Sequence, residues 1–166
     1  MKNIYIVGFM GTGKTSTAKE LAKRLGREFI DMDDSIQGKE GLAINGIFKE
    51  KGEPYFRKLE KDLVRELSCR ENLVVSCGGG VIVDEENLSN LKKSGTVICF
   101  KSDVDVILRR TKDNSERPLL NVDNPRKQIS ELLKKREPFY SQSDHTIDTT
   151  HLSIAETVDK IIKIIK

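Results

Sequence analysis

Short apolar runs and longer stretches of three-to-four-residue periodicity take turns along this chain. The run Ile4, Tyr5, Ile6 and Val7, the segments Glu28–Asp31, Leu73–Cys77 and Thr96–Phe100, and a short stretch near Thr146 and Ile147 have the length and apolar character of strands. Between them the apolar residues return at helical spacing. Ala18, Leu21, Ala22 and Leu25 form one stripe, stopped by Gly26, and Ile44, Ile47 and Phe48 form another. Pro54 opens a helix carrying Phe56, Leu59, Leu63, Val64 and Leu67. Further helices carry Leu88 and Leu91, then Val104, Ile107 and Leu108, then Ile129, Leu132 and Leu133. Ser153 and Glu156 make a capping-box signature for a last helix expected to bury Ile154, Val158, Ile161, Ile162 and Ile165. Strands alternating with helices at these lengths predict an α/β fold with a parallel sheet covered on both faces. Only Thr111 to Pro125 breaks the rhythm; it is long for a connection, and a lid or a disordered insertion is expected there.

Composition narrows the class without changing the pattern. At 166 residues the chain is one domain by size, and 33% charged with 37% hydrophobic residues suits a globular protein that needs no disulfide or metal to hold its core. No apolar stretch is long enough to cross a bilayer, and a strand starts almost at the first residue, so a cytoplasmic protein without a signal peptide is expected. Cys69, Cys77 and Cys99 lack CxxC spacing, which favours reduced thiols over a zinc site. The net charge of +3 is spread along the chain, so small anionic ligands account for it better than nucleic acid does. His145 and His151 have no acidic or cysteine partner at ligand spacing and are read as structural.

Between the first strand and the first helix stands Gly8-Phe-Met-Gly-Thr-Gly-Lys14-Thr15, a complete GxxxxGK[ST] phosphate loop. Backbone N–H groups of such a loop wrap phosphates, Lys14 adds charge at the transferable group, and the Thr15 hydroxyl is suited to Mg²⁺. Asp31 and Asp33 follow the second strand two positions apart, so both carboxylates share a side if the extended backbone persists; the plainer reading is a pair of turn residues before a helix. Gly78-Gly79-Gly80 ends the third strand, where bare backbone lets a substrate come close. Arg136 continues the stripe of Ile129, Leu132 and Leu133 and points inward, which demands an anion, either a ligand or a buried carboxylate. Arg57 lies off its helix's stripe with Glu60 one turn on, and alone would pass for a surface ion pair. Arg117, in the aperiodic segment, would otherwise be a solvated loop arginine.

Taken in order, these residues resemble the shikimate kinase family over essentially the whole chain. The resemblance is carried by GFMGTGKT from Gly8, Phe29-Ile-Asp-Met-Asp33, Ile47-Phe48, Gly52-Glu53, Phe56-Arg57 with Glu60, Gly78-Gly79-Gly80, Arg117-Pro118-Leu119-Leu120, and Arg136 followed by Tyr140. It implies a P-loop three-layer sandwich of the nucleoside monophosphate kinase type, with five parallel strands in the order 2-3-1-4-5. A substrate segment is implied at about 32–61 and a lid at about 111–124. The implied activity is transfer of the ATP γ-phosphoryl group to the 3-hydroxyl of shikimate, a step toward chorismate and aromatic amino acids. By the same resemblance Gly11, Thr12, Gly13, Lys14, Thr15 and Ser16 hold the nucleotide phosphates, with Mg²⁺ on Thr15 and, through water, on Asp31. Asp33 is the implied base, Lys14 and Arg117 serve the transferred phosphoryl group, and Arg57, Gly79, Gly80 and Arg136 hold shikimate with Asp33. Arg110 matches a position that packs on adenine, although Arg109 beside it is a competitor. ATP and shikimate are the implied partners of a monomer that binds neither nucleic acid nor membrane. Gluconate kinase is the nearest rival, but its substrate motifs do not occur; a nucleotide-operated switch is disfavoured by the missing NKxD motif, and a silent binding module by the retention of Lys14 and Asp33.

Overall fold

The computed structural model describes residues 1–112 and 122–166. Five strands form one parallel sheet in the order β2-β3-β1-β4-β5. They are β1 (Asn3–Gly8), β2 (Glu28–Asp31), β3 (Leu73–Ser76), β4 (Gly95–Lys101) and β5 (His145–Asp148). β1 is central, with Ile4 in register with Val74 of β3 on one side and Thr96 of β4 on the other. Because side chains alternate along a strand, β1 divides its apolar residues between the two faces. Ile4 and Ile6 join one cluster, under α1 (Lys14–Leu25) and α8 (Ile154–Ile165), while Tyr5 and Val7 join the other. That second cluster lies beneath α2 (Met32–Glu40), α3 (Ile44–Lys51), α4 (Glu53–Ser68), α5 (Glu85–Ser94), α6 (Val104–Thr111) and α7 (Pro125–Tyr140). A strand buried on both faces must be apolar throughout, which is why β1, β3 and β4 read as continuous runs in the sequence.

Local chemistry fixes the element ends. Gly26 closes α1 in the left-handed conformation with its N–H on Lys23 O, and Pro54 sits in the first turn of α4, where its missing N–H costs no helical bond. The capping box at α8 is formed: Ser153 Oγ accepts from Glu156 N at 3.2 Å, and Glu156 Oε2 accepts from Ser153 N at 2.8 Å. α3 runs through Asn45-Gly46 in its first turn and ends after eight residues at Gly52.

Three expectations change. Asp31 and Asp33 are not an extended pair, because helix α2 starts at Met32 and Asp31 is its N-cap, accepting from Asp33 N and Asp34 N. The third strand stops at Ser76 rather than Cys77, although Cys77 N still donates to Ile6 O. Ile154 is 46% exposed: its helical face is the inner one, as buried Val158 and Ile161 show, but the first turn of α8 stands clear of the apolar cluster. Ile162 and Ile165 are partly buried.

Candidate active site

Parallel strands deliver their carboxyl ends to one edge of the sheet, and in an open α/β sheet that edge takes the ligand. Here it gathers the loop after β1, the start of α2 after β2, and the glycine turn after β3. Gly8 begins the phosphate loop so close to Phe100 that a Cβ would collide with the Phe100 carbonyl, and Gly13 ends it at φ +88°, a conformation glycine adopts without strain. Inside the loop, Phe9 O accepts from Thr12 Oγ1 at 2.7 Å and from Lys14 Nζ at 2.9 Å. Arg110 Nη1 reaches in from α6 to Gly11 O at 3.2 Å; Arg109 and Arg110 are both exposed. A glycine-rich loop placed this way, at the positive end of α1, is suited to an anion.

Asp31 joins two functions in one carboxylate. One oxygen caps α2, and the other accepts from Thr15 Oγ1 at 2.8 Å. Ser76 Oγ lies 3.2 Å from the same Thr15 hydroxyl. Three hard oxygen donors therefore cluster beside the phosphate loop. Ser76 escaped the sequence reading; its one signal was a polar residue closing the apolar run of β3.

On the other side of the loop, the glycine turn is the hub of a charged cluster. A Cβ on Gly78 would come 2.6 Å from Glu60 Oε1 and 3.3 Å from Asp33 Oδ1, and one on Gly80 would come 2.6 Å from Arg57 Nη1. Only glycine lets all three side chains approach this backbone. Arg57 is held at both ends of its guanidinium, with Nη1 2.6 Å from Glu60 Oε2 and Nη2 3.0 Å from Glu53 Oε1. Arg136 is different. It is 6% exposed, stacks over the Phe9 ring at 5.4 Å, and its Nη1 is buried with no hydrogen-bond partner among the described residues. The same Nη1 would lie 3.2 Å from a Cβ on Gly79, and Gly79 O accepts from Tyr140 Oη at 2.6 Å. Burial pushes the Tyr140 hydroxyl up to about 12, against the charge of Arg136, so it remains a donor. A cavity of about 450 Å³ opens beside the two arginines, bordered by Glu53, Arg57, Glu60, Gly80, Leu132 and Arg136. A buried, unpaired guanidinium N–H is costly unless an anion arrives to take it.

The sequence-derived site residues thus converge on one sheet edge, from Gly11 to Ser16, Asp31, Asp33, Arg57, Gly79, Gly80, Arg110 and Arg136. Arg117 and the rest of 113–121 lie outside the described residues. The sequence reading also gave no role to Phe9, whose ring carries Arg136, or to Glu53, whose carboxylate occupies Arg57.

A five-stranded 2-3-1-4-5 sheet with a phosphate loop after β1 and a cavity lined by two arginines beside it is the architecture of the P-loop kinases of nucleoside monophosphate kinase type. Comparison with known proteins narrows this. A family model described as shikimate kinase matches residues 10–166. A shikimate kinase of Thermodesulfovibrio yellowstonii is 44% identical over 163 residues, covering 98% of this chain and 94% of the relative. Among solved structures, a shikimate kinase from Acinetobacter baumannii in complex with shikimate is 40% identical with a TM-score of 0.96, covering 99% of this chain and 93% of its own. The shikimate kinase from Aquifex aeolicus aligns with a TM-score of 0.87 at 38% identity, covering 98% of this chain and 95% of its own. The chain belongs to the shikimate kinase family.

Proposed function

We propose that this chain transfers the γ-phosphoryl group of ATP to the 3-hydroxyl of shikimate, as a monomer in the cytoplasm. Residues 1–166 act as one kinase domain, the segment at about 32–61 takes the acceptor, and the segment at about 111–124 closes over it. The observation that carries this reading is the buried Nη1 of Arg136, without a hydrogen-bond partner among the described residues, beside Gly79 and across the glycine turn from Asp33. A small acid with ring hydroxyls answers both demands at once: its carboxylate takes Arg136 and Arg57, and a hydroxyl meets Asp33. Phosphoryl transfer asks a protein mainly for alignment and charge neutralisation. Asp33 accepts the proton of the attacking hydroxyl, and Gly79 and Gly80 present backbone to the ring. Lys14 and Arg117 meet the charge that moves with the phosphoryl group, the backbone of Gly11 to Ser16 holds the phosphates, and Arg110 flanks the nucleotide. The oxygen donors Thr15 and Asp31 suit Mg²⁺, a hard cation that takes few protein ligands. Thr15 would ligate it directly and Asp31 through water; when bound, the ion neutralises phosphate charge.

Asp33→Asn is expected to lower kcat by about a hundredfold or more, the range for loss of a positioned general base, with little change in ATP affinity. Asp31→Asn serves as its counterpart. Asparagine caps a helix as well as aspartate does, so α2 should persist while the charge near Thr15 is lost. The Asp31 variant should need more Mg²⁺ for half-maximal rate and recover at high Mg²⁺; the Asp33 variant should not recover. Identical Mg²⁺ titrations for the two would refute the division of labour.

Glu60 gives the site a pH dependence. Burial raises its carboxyl to about 7, opposed by Arg57 and assisted by the nearby negative charge of Asp33. For an acid raised on folding, the contribution to stability is fully present below the ordinary carboxylate range and is lost as pH rises through about 7, where the neutral form gives way to the anion. Above that pH Glu60 is an anion bound to Arg57, where it repels an incoming carboxylate. The KM for shikimate should therefore rise with pH through neutrality, and Glu60→Gln should flatten that profile.

A further inference from the structure

The turn after β5 reaches the phosphate loop from a sequence distance of 137 residues, through a side chain the proposed mechanism does not use. Thr149 is 3% exposed, and its hydroxyl lies 2.9 Å from Thr12 O, 3.1 Å from Lys101 O and 2.7 Å from Ser102 Oγ. A hydroxyl has a single proton to give. We assign that proton to the nearer carbonyl, Thr12 O at 2.9 Å against 3.1 Å for Lys101 O, which also accepts from the Thr149 backbone N–H at 2.8 Å; on that assignment Ser102 Oγ is the donor to Thr149.

What this bond restrains is the joint between Thr12 and Gly13. Gly13 sits at φ +88° with only Thr17 Oγ1 near the place of its missing Cβ, so on the Gly13 side no side chain fixes the peptide; on the other side Thr12 is buried and its own hydroxyl is spent on Phe9 O, which leaves the Thr12 carbonyl to be set by Thr149. In a trans peptide the C=O and the N–H point in opposite directions. Holding Thr12 O on the outside therefore turns the Gly13 N–H toward the side on which the loop takes phosphate. Arg110 does the same for the next peptide back, through Gly11 O at 3.2 Å. Arginine at that position is exposed and can swing away, whereas Thr149 is locked by the β4 and β5 ends.

We propose that Thr149 is a positioning residue for the phosphate cradle, setting the Thr12–Gly13 peptide so that its N–H is ready for a polyphosphate. The proposal rests on the nucleotide-binding reading of the loop, and its ligand class is any chain of phosphates rather than adenine. The test is calorimetric titration of ADP and, separately, of inorganic triphosphate into the wild type, Thr149→Val and Thr149→Ser. Valine keeps the shape and removes the hydroxyl, so both ligands should bind about tenfold more weakly, the size expected when one buried hydrogen bond is lost. Serine should restore both, and the KM for shikimate should not move. Should Thr149→Val fail to fold, Thr149→Ala is measured in its place with the same expectation. Weakened ADP binding with unchanged triphosphate binding would mean that Thr149 acts on the base side of the site and would overturn the proposal, as would unchanged binding of both. A wild type that binds neither ligand would refute the phosphate-loop reading itself, and this proposal with it.

Discussion

Replacing Lys14 by alanine is expected to cut turnover by about a hundredfold or more at saturating ATP while the protein keeps its fold. The magnitude is that of losing one preorganised charge aimed at the atoms where negative charge moves. The fold should survive because Lys14 is at the helix entrance, outside both apolar clusters. Its present acceptor is not orphaned either, since Phe9 O keeps the Thr12 hydroxyl at 2.7 Å. Turnover and thermal melting measured together check the point. Near wild-type turnover in a folded Lys14→Ala protein would remove the loop from the chemistry.

Arg136→Lys should have the next largest effect, and on the other substrate. The guanidinium lies over Phe9 and against Gly79, with Nη1 aimed at no acceptor among the described residues. A planar fork placed this way grips a carboxylate with two parallel bonds; a lysine ammonium keeps the charge and loses the fork. Truncating one partner of a buried charge pair costs about 2 to 5 kcal/mol, so shikimate binding should weaken by a factor of tens to thousands. ATP affinity should barely change. Shikimate methyl ester should bind the wild type poorly and lose little further in the variant. Tight binding of the ester to the wild type would show that no carboxylate clamp exists.

The sequence made the first βα unit readable because the period of its apolar residues changes at the phosphate loop, where glycine spacing has a strict meaning. The α8 capping box was equally legible, since cap and partner are three residues apart. Arg136 could be placed by its spacing from Ile129, Leu132 and Leu133, all on one helix. Features that depend on where the chain turns were not legible in that way. A shared side for Asp31 and Asp33 requires extended backbone, and the helix begins between them instead, so the plainer reading of acidic residues at the start of a helix holds, with Asp31 as the cap. The role of Ser76 at Thr15 depends on a contact across 61 residues and that of Thr149 at Thr12 on one across 137, for which no local pattern exists. The lack of a partner for Arg136 Nη1 among the described residues is likewise a tertiary fact. A stripe shows that a charge points inward, and only the folded neighbourhood shows that no described residue answers it.

The most direct test of the central claim is ADP release measured with shikimate, quinate, gluconate and nucleoside monophosphates as acceptors, in the presence of ATP and Mg²⁺. Rapid turnover with shikimate and little with the others is the expected result. On the proposed reading Arg57 and Arg136 take a carboxylate held on a trigonal ring carbon while Asp33 meets a ring hydroxyl, and quinate, whose carboxylate stands on a tetrahedral ring carbon, presents the two at a different angle. Turnover with gluconate or a nucleoside monophosphate, and none with shikimate, would contradict it.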